Sequence, residues 1–163
     1  MRSSESKIVS QQKLKSLVAD HKKHGQTVVF ANGCFDILHV GHKRYLEAAR
    51  QQGDILIVAV NSDASARNLK GPGRPILDES ARARLVAALR AVDYVVLFSE
   101  PTVASLLRDF LPDVHAKGTD YSVDTVPERV IAKELGIQVA IVGDPKNHST
   151  RALLGSLRKA PHG

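Results

Sequence analysis

Two histidines in the first third of the chain have a spacing that suits anion binding. His39 and His42 are three residues apart, so a helical turn would place both imidazoles on one face. Gly41 between them would let a ligand approach the backbone closely. A helix that begins here would add free backbone N–H groups and the positive end of its dipole. Together these donors would form a clamp for an anion such as a phosphate group.

The residues alone leave two other interpretations of this segment open. Two histidines at this spacing also arise by chance in ordinary helices, where they need no ligand. Cys34 and Asp36 lie just before the histidines, so the segment could instead hold a metal ion. The spacing of these thiol, carboxyl and imidazole groups matches none of the common zinc patterns, which disfavours a metal site.

Three cationic side chains farther along are candidate ligands for the same anion. Lys70 precedes Gly71 in a predicted polar loop, where a lysine is a good mobile phosphate ligand or simply a solvated side chain. Arg74 and Arg82 are weaker candidates, since either is a substrate ligand or the partner of a surface carboxylate.

Polar residues also follow two of the predicted strands. Asn61 and Asp63 end the second strand, so they either touch the substrate or only terminate the strand. Lys117 and Asp120 end the fourth strand in the same way, and we expect them to contact the substrate.

Alternating strands and helices predict where these residues come together. Strands are predicted at 27–31, 54–60, 94–98, 114–116 and 138–142, and helices at 10–24, 42–51, 78–90, 103–110, 125–136 and 149–159. This alternation predicts an α/β fold with a doubly wound, parallel, five-stranded sheet and helices on both faces. Ligands of such sheets bind outside the carboxyl ends of the strands. The loops expected there are 32–42, 61–75, 117–124 and 143–150.

Composition limits the class of protein. The 163 residues suit a single domain spanning 1–163, with residues 1–25 as a helical extension packed on it. No apolar run reaches the ~20 residues that span a bilayer, and Cys34 is the only cysteine, so we expect a cytoplasmic protein without a membrane partner. The net charge of +6 favours an anionic partner, but scattered basic residues and few aromatics argue against nucleic acid.

The segment 30–42, Phe-Ala-Asn-Gly-Cys-Phe-Asp-Ile-Leu-His-Val-Gly-His, resembles the cytidylyltransferase-like nucleotidyltransferases that carry an HxGH motif. Its Asn-Gly-Cys-Phe-Asp stretch is most similar to the heptose 1-phosphate adenylyltransferase branch of that family. The resemblance covers roughly residues 7–158 and continues through 61–63, 70–71, 74–75, 82, 91–93, 117–121, 125–128 and 149–150.

The resemblance implies a Rossmann-like fold and an adenylyltransferase that moves AMP from ATP to D-glycero-β-D-manno-heptose 1-phosphate. The products would be pyrophosphate and ADP-heptose, a precursor of lipopolysaccharide or another surface glycan, with Mg²⁺ carried by ATP. His39 and His42 would hold phosphate oxygens through the transition state, and Lys70 would meet a phosphate. Asp36 would lie near the phosphates and the metal, unless it caps a helix.

The resemblance also implies two sets of binding residues. The nucleotide would contact Asn32, Gly33, Cys34, Phe35, His39, Gly41, His42, Ser149, Thr150 and Arg151. The substrate-binding set would be Asp36, Asn61, Asp63, Lys70, Arg74, Arg82, Lys117 and Asp120, the last two on substrate phosphate or sugar hydroxyls. The chain departs from the family at its last helix, where the usual Ser-Thr-Thr is replaced by Ser149-Thr150-Arg151; without the family, these hydroxyls would simply cap the helix.

Partners and alternative functions follow from the same resemblance. Bifunctional relatives carry a sugar-kinase domain ahead of this one. Because 163 residues are too few to include that domain, a separate kinase is expected to supply the sugar 1-phosphate. The relatives also suggest a homodimer. One alternative is a cytidylyltransferase that uses CTP with glycerol 3-phosphate or another alcohol phosphate. A second is a non-catalytic module that binds a phosphorylated ligand.

Overall fold

A parallel five-stranded sheet with the order β3-β2-β1-β4-β5 forms the centre of the computed structural model, which describes residues 3–145 and 150–159. Its strands are β1 Val28–Gly33, β2 Ile55–Asn61, β3 Tyr94–Phe98, β4 Val114–Lys117 and β5 Gln138–Ile141. The helices are α1 Gln11–Lys23, α2 Val40–Arg50, α3 Asp63–Lys70, α4 Glu79–Ala88, α5 Ala104–Phe110, α6 Arg129–Leu135 and α7 Thr150–Lys159. The predicted doubly wound α/β sheet is therefore confirmed.

Helices cover both faces of the sheet because its strands are apolar on both sides. Successive strand residues face opposite sides, so Phe30 packs with Leu14 of α1 and Leu107 of α5. Its neighbour Val29 packs in the other cluster, with Leu46 of α2. Each such side chain stabilises the fold by about 1.5–3 kcal/mol when it is fully buried. Within the described ranges, no helix is long and apolar enough to cross a membrane.

The sheet changes winding direction between β1 and β4, and the two strands part there. Their described pairing ends at Phe30 and His115. Just beyond this point the Tyr45 hydroxyl donates to the Ala116 carbonyl oxygen at 2.7 Å and lies beside the backbone N–H of Asn32. This hydroxyl bridges the strands where their own hydrogen bonds stop. The parting of β1 and β4 leaves a crevice at the carboxyl ends of the strands, which is where α/β sheets bind ligands.

Two sequence-based predictions of local structure are wrong. Residues 61–75 are not a continuous loop, because α3 forms over 63–70 with the Ser62 hydroxyl accepting the Ser65 N–H at 3.2 Å. The predicted helix start at Thr125 is also wrong, since its hydroxyl accepts the Ser122 N–H of the preceding turn and α6 begins only at Arg129. In both segments a local hydrogen bond between a side-chain hydroxyl and a backbone N–H determines the backbone conformation.

Other boundaries agree with the sequence. Strand β3 has the predicted bounds 94–98, and Asp78 caps α4 by accepting the Ala81 N–H at 2.8 Å. Helix α1 packs on the sheet through Leu14 and Val18, and Ile8 pairs with Val95 beside it. The division into one domain with an extension over 1–25 stays a prediction.

The start of β2 offers a test of packing, because Gly53 lies against the neighbouring strand. A Cβ on this residue would lie 2.7 Å from the Val29 Cγ2 and 2.8 Å from the Thr27 carbonyl oxygen. That oxygen accepts two backbone N–H groups and cannot easily move. We expect Gly53→Ala to lower the free energy of unfolding by about 1–3 kcal/mol, measured by urea denaturation.

Gly155 in α7 supplies the matched control. A Cβ there would meet nothing within 4 Å. Alanine also favours a helix over glycine by up to about 1 kcal/mol, so Gly155→Ala should hold or raise stability. Equal losses in the two variants would contradict the packing argument.

Candidate functional site

A cavity of about 640 Å³ opens at the carboxyl ends of the strands, next to the gap between β1 and β4. Of the predicted site residues, it brings together Asn32, Gly33, Cys34, Phe35, Asp36, His39, Gly41, His42, Asn61, Lys70, Arg74, Lys117 and Asp120. Asp63 and Arg82 are not in its lining. Ser149 lies outside the described residues, as do the side chains of Thr150 and Arg151 at the start of α7.

The two histidines cap helix α2 with one ring nitrogen each. The Gly41 N–H donates to His39 Nδ1 at 3.1 Å, and the His39 N–H donates to His42 Nδ1 at 3.4 Å. The rings stack with centroids 3.8 Å apart and planes 22° apart. Because each Nδ1 accepts a hydrogen bond, the proton of each neutral ring is on Nε2. The arrangement therefore pairs a helix N-terminus with two side-chain N–H donors.

The ring of Phe35 packs against the imidazole of His42. Its ring meets the His42 ring edge-on at 5.3 Å, and only 4% of the residue is exposed. The backbone of Phe35 has a φ of +48°, which a phenylalanine rarely adopts. A Cβ on Gly33 would lie 3.0 Å from this ring, so the glycine makes room for it. The turn between β1 and α2 is thus shaped to fix the imidazole.

Asp36 anchors the segment that follows α3. Its carboxylate accepts the Ile76 and Leu77 N–H groups at 2.8 and 3.1 Å and pairs with Arg74 Nε at 2.7 Å. Burial alone would raise the pKa of Asp36, but these donors outweigh it and lower the pKa. Helix α2 is capped by His39 instead, so the alternative in which Asp36 only caps a helix does not apply.

Arg82 lies beneath the cavity and ties three loops together. It is fully buried, and its Nη1 donates to the carbonyl oxygens of Cys34 and Asn61, both at 2.7 Å. Its Nη2 pairs with Asp63 Oδ1 at 2.9 Å, and its Nε donates to the Leu77 carbonyl oxygen. Arg82 was expected either to bind the substrate or to pair with a surface carboxylate. These contacts fit neither alternative alone. Arg82 supports the lining from inside the protein.

Lys117 and Tyr121 form the wall at the end of β4. The Lys117 Nζ lies 4.5 Å from the centroid of the Tyr121 ring, and the residue is only 7% exposed. Burial lowers the pKa of Lys117, while Glu128 and Asp120 oppose that shift. Tyr121 lies in the 117–121 segment of the family resemblance but is not among the predicted site residues, because an isolated tyrosine after a strand has no pattern of its own.

The loop after β5, which was expected at this edge of the sheet, closes the opposite wall, although none of its described residues is among the predicted site residues. Asp144 pairs with Arg44 of α2 at 3.3 Å, and the Thr119 hydroxyl donates to the Asp144 carbonyl oxygen at 2.8 Å. Gly143 has a φ of +94°, and a Cβ there would lie 3.3 Å from the Tyr45 Cα. Only glycine combines that backbone angle with this close approach.

The remaining lining does not resemble a protein-made metal cage. In the part of the chain that the structure describes, no three His, Cys, Asp or Glu side chains form a potential ligand group. Burial raises the pKa of the Cys34 thiol, so the thiolate that binds zinc is disfavoured.

The role of Asp36 can be tested by the pH dependence of the free energy of unfolding. A lowered pKa means that the charged carboxylate stabilises the fold fully above its ordinary value of 3.8 and loses this effect as the pH falls through the folded value. We expect Asp36→Asn to reduce the free energy of unfolding by about 2–4 kcal/mol at pH 7, with a shrinking difference from the natural protein below pH 3.8. Denaturant titrations at several pH values measure both effects.

The control is Asp78→Asn at the exposed start of α4. Asparagine caps helices about as well as aspartate, so this variant should stay within about 0.5 kcal/mol of the natural protein. A difference for Asp36→Asn that stays constant down to pH 3 would refute the proposed anchor.

Known proteins are similar to this chain in sequence and in fold. The family model described as cytidylyltransferase-like matches residues 30–151, which include the HxGH segment and most of the cavity. The bifunctional protein HldE of Pseudomonas fluorescens (strain Pf0-1) is 48% identical over 157 residues, covering 96% of this chain and 33% of the relative. HldE of Pseudomonas entomophila (strain L48) is 49% identical over 156 residues, with the same coverage. The chain spans about a third of the length of these relatives.

Two solved structures are similar. The lipopolysaccharide core biosynthesis protein of Thermoplasma volcanium GSS1 is 36% identical, with a TM-score of 0.64 over 76% of this chain and all of that one. Pantothenate synthetase of Thermus thermophilus has a TM-score of 0.61 but only 20% identity, covering 88% of this chain and 63% of the other, and shows a shared Rossmann-like fold alone. Since the family model spans most of the chain, and a solved relative aligned over its whole length is 36% identical, the chain belongs to the cytidylyltransferase-like family.

Proposed function

We propose that this protein transfers AMP from ATP to D-glycero-β-D-manno-heptose 1-phosphate and releases pyrophosphate. The observation that carries the proposal is the clamp of His39 and His42 at the start of α2, facing a cavity that also holds Lys70 and Lys117. The heptose acceptor rests on the Asn-Gly-Cys-Phe-Asp segment. A role in surface-glycan precursor synthesis agrees with the name of the Thermoplasma relative.

The reaction is a single in-line displacement. A phosphate oxygen of the sugar 1-phosphate forms a bond to the α-phosphorus of ATP, while the bond from that phosphorus to the oxygen bridging to the β-phosphate breaks. Pyrophosphate leaves with the electron pair, and no covalent enzyme intermediate forms. Negative charge develops on the α-phosphate oxygens, where the Nε2–H groups of His39 and His42 and the N-terminus of α2 stabilise it.

The other cavity residues bind the two substrates. Lys70 stands at the exposed end of α3 before Gly71, where its long side chain can follow the phosphates of ATP. Lys117 and Asp120 hold the sugar phosphate and its hydroxyls at the end of β4. Ser149, Thr150 and Arg151 bind the triphosphate tail in this proposal, since α7 begins at Thr150 and a helix N-terminus favours phosphate.

Mg²⁺ belongs to the ATP substrate in this proposal. Among the described cavity residues, the Asp36 carboxylate is occupied by Arg74 and two backbone N–H groups, and Asp144 pairs with Arg44. Magnesium usually keeps several waters and binds through substrate phosphates, which fits this lining. The ion would neutralise phosphate charge while the protein positions the reacting groups.

The partners are those of a small-molecule enzyme in the cytoplasm. A sugar kinase reaction must supply the sugar 1-phosphate. That the kinase is a separate polypeptide, and that this chain forms a homodimer, both stay predictions. Size-exclusion chromatography with light scattering tests the homodimer.

A substrate panel tests the proposed reaction. The purified protein is incubated with Mg²⁺ and either ATP, CTP or GTP, together with heptose 1-phosphate or glycerol 3-phosphate, and pyrophosphate is measured. Pyrophosphate from ATP plus heptose 1-phosphate supports the proposal. Turnover only with CTP and glycerol 3-phosphate would replace it with the cytidylyltransferase alternative. Nucleotide binding without turnover in any pair would favour a binding module.

Variants of the two histidines test the clamp. We expect His39→Ala and His42→Ala each to lower kcat by about 10²–10³-fold, the loss typical for one donor to a transition-state charge. His39→Asn is the sharper variant, because asparagine can still cap α2 but lacks the imidazole Nε2–H. It should keep the natural melting temperature and still lose activity in the pyrophosphate assay.

Lys43→Ala is the matched control on the same helix. Lys43 is exposed and pairs with Glu47 at 2.6 Å, a surface contact worth less than about 1 kcal/mol. Its kcat should stay within about twofold of the natural value. If His39→Asn were as active as Lys43→Ala, the clamp would have no catalytic role.

A further inference from the structure

His115 is a buried titratable residue to which the reaction above gives no role. It lies in β4, is fully buried, and meets the Phe30 ring edge-on with centroids 5.7 Å apart. Its Nε2 lies 3.0 Å from Asn32 Oδ1. Phe30 is its register partner on β1, and Asn32 lies two residues farther on the same face. His115 therefore reaches a cavity residue as its diagonal neighbour across the two strands.

The surroundings of His115 determine where its proton lies. Burial, together with the nearby charge of Lys117, lowers the pKa of His115 to about 3, so the ring is neutral at pH 7 and carries one proton. Its Nδ1 is buried and makes no hydrogen bond within the described residues. A proton on Nδ1 would bury an unsatisfied donor and leave the Nε2 lone pair facing the Asn32 oxygen. The proton is therefore on Nε2, which donates to Asn32 Oδ1.

This bond sets the orientation of the Asn32 side chain. An amide has one accepting oxygen and one NH₂ group with two donors, and a flip exchanges them. With the oxygen held by His115, the NH₂ group is the end that remains for the cavity, which Asn32 lines. We propose that His115 is a positioning residue that orients the Asn32 amide, so that its NH₂ group donates to an oxygen of a bound substrate. The identity of that substrate rests on the proposed function.

Two substitutions of His115 separate its hydrogen bond from its bulk. His115→Leu fills similar space without a donor, whereas the amide of His115→Gln can still donate to Asn32. The measurements are the Kd for ATP by calorimetry and the KM for the sugar 1-phosphate. We expect His115→Leu to raise one of them about fivefold to tenfold, as one lost hydrogen bond of about 1 kcal/mol predicts, with kcat within about twofold.

The conservative variant and a core control exclude a merely structural effect. His115→Gln should restore the affected constant to within about twofold of the natural value. Ile131→Val removes a methyl group from the core cluster that contains Phe30, so it should lower the melting temperature and leave both constants unchanged. Unchanged constants in folded His115→Leu, or a His115→Gln variant as impaired as His115→Leu, would overturn the proposal.

A double variant asks whether the effect passes through Asn32. In an Asn32→Ala background, adding His115→Leu should change neither constant further, because the amide to be oriented is gone. Fully additive losses would overturn the proposal. The constant that moves also identifies the oxygen, since a raised Kd places it on ATP and a raised KM places it on the sugar phosphate.

The ATP measurement also separates this inference from the proposed reaction. The Kd for ATP requires no sugar and no turnover. If the natural protein releases no pyrophosphate with any sugar 1-phosphate, the reaction is wrong, and the Kd alone decides the role of His115. A raised Kd in His115→Leu, restored in His115→Gln, then supports the positioning role, and an unchanged Kd overturns it.

Discussion

The parting of β1 and β4 is the constraint on which the site depends. A parallel sheet that continued to pair would leave no room for a ligand between these strands. At the point where they separate, the Tyr45 hydroxyl donates to the Ala116 carbonyl oxygen of β4 and lies beside the Asn32 N–H of β1. Since burial raises the pKa of Tyr45, the hydroxyl stays protonated and keeps donating. The crevice is thus opened without leaving the carbonyl oxygen of the buried Ala116 unsatisfied, which would cost about 1–3 kcal/mol.

Buried charge holds the loops around this crevice. The Arg82 guanidinium and the Asp36 carboxylate are both buried, and each is surrounded by hydrogen-bond partners from other segments. Removing such charges from water is costly, so they contribute little net stability compared with an apolar core. Their effect is geometric, because each charge accepts only one arrangement of its neighbours. Loops fixed in this way hold donors ready before a substrate arrives, which is the main requirement of electrostatic catalysis.

The sequence predicts the framework of the fold well and its supports poorly. Apolar β-branched runs such as 54–60 indicate buried strands by local pattern alone, and most strand bounds agree within two residues. The HxGH segment carries its signal in spacing, so its place at a helix start follows as well. Arg82 and Tyr45 act through partners that lie far away in the chain, at Cys34 and Ala116. Nothing in their local sequence marks such contacts. The sequence therefore predicts Arg82 only as a weak candidate ligand, and it predicts no role for Tyr45.

The capping of α2 has a consequence for acid conditions. A doubly protonated imidazole has two N–H groups and no lone pair to offer. In that form His39 could no longer accept the Gly41 N–H, and His42 could no longer accept the His39 N–H. The helix would lose its first hydrogen bonds at the same moment as two positive charges appeared at the positive end of its dipole. The anion clamp and the helix that presents it are therefore one unit, and protonation would loosen both together.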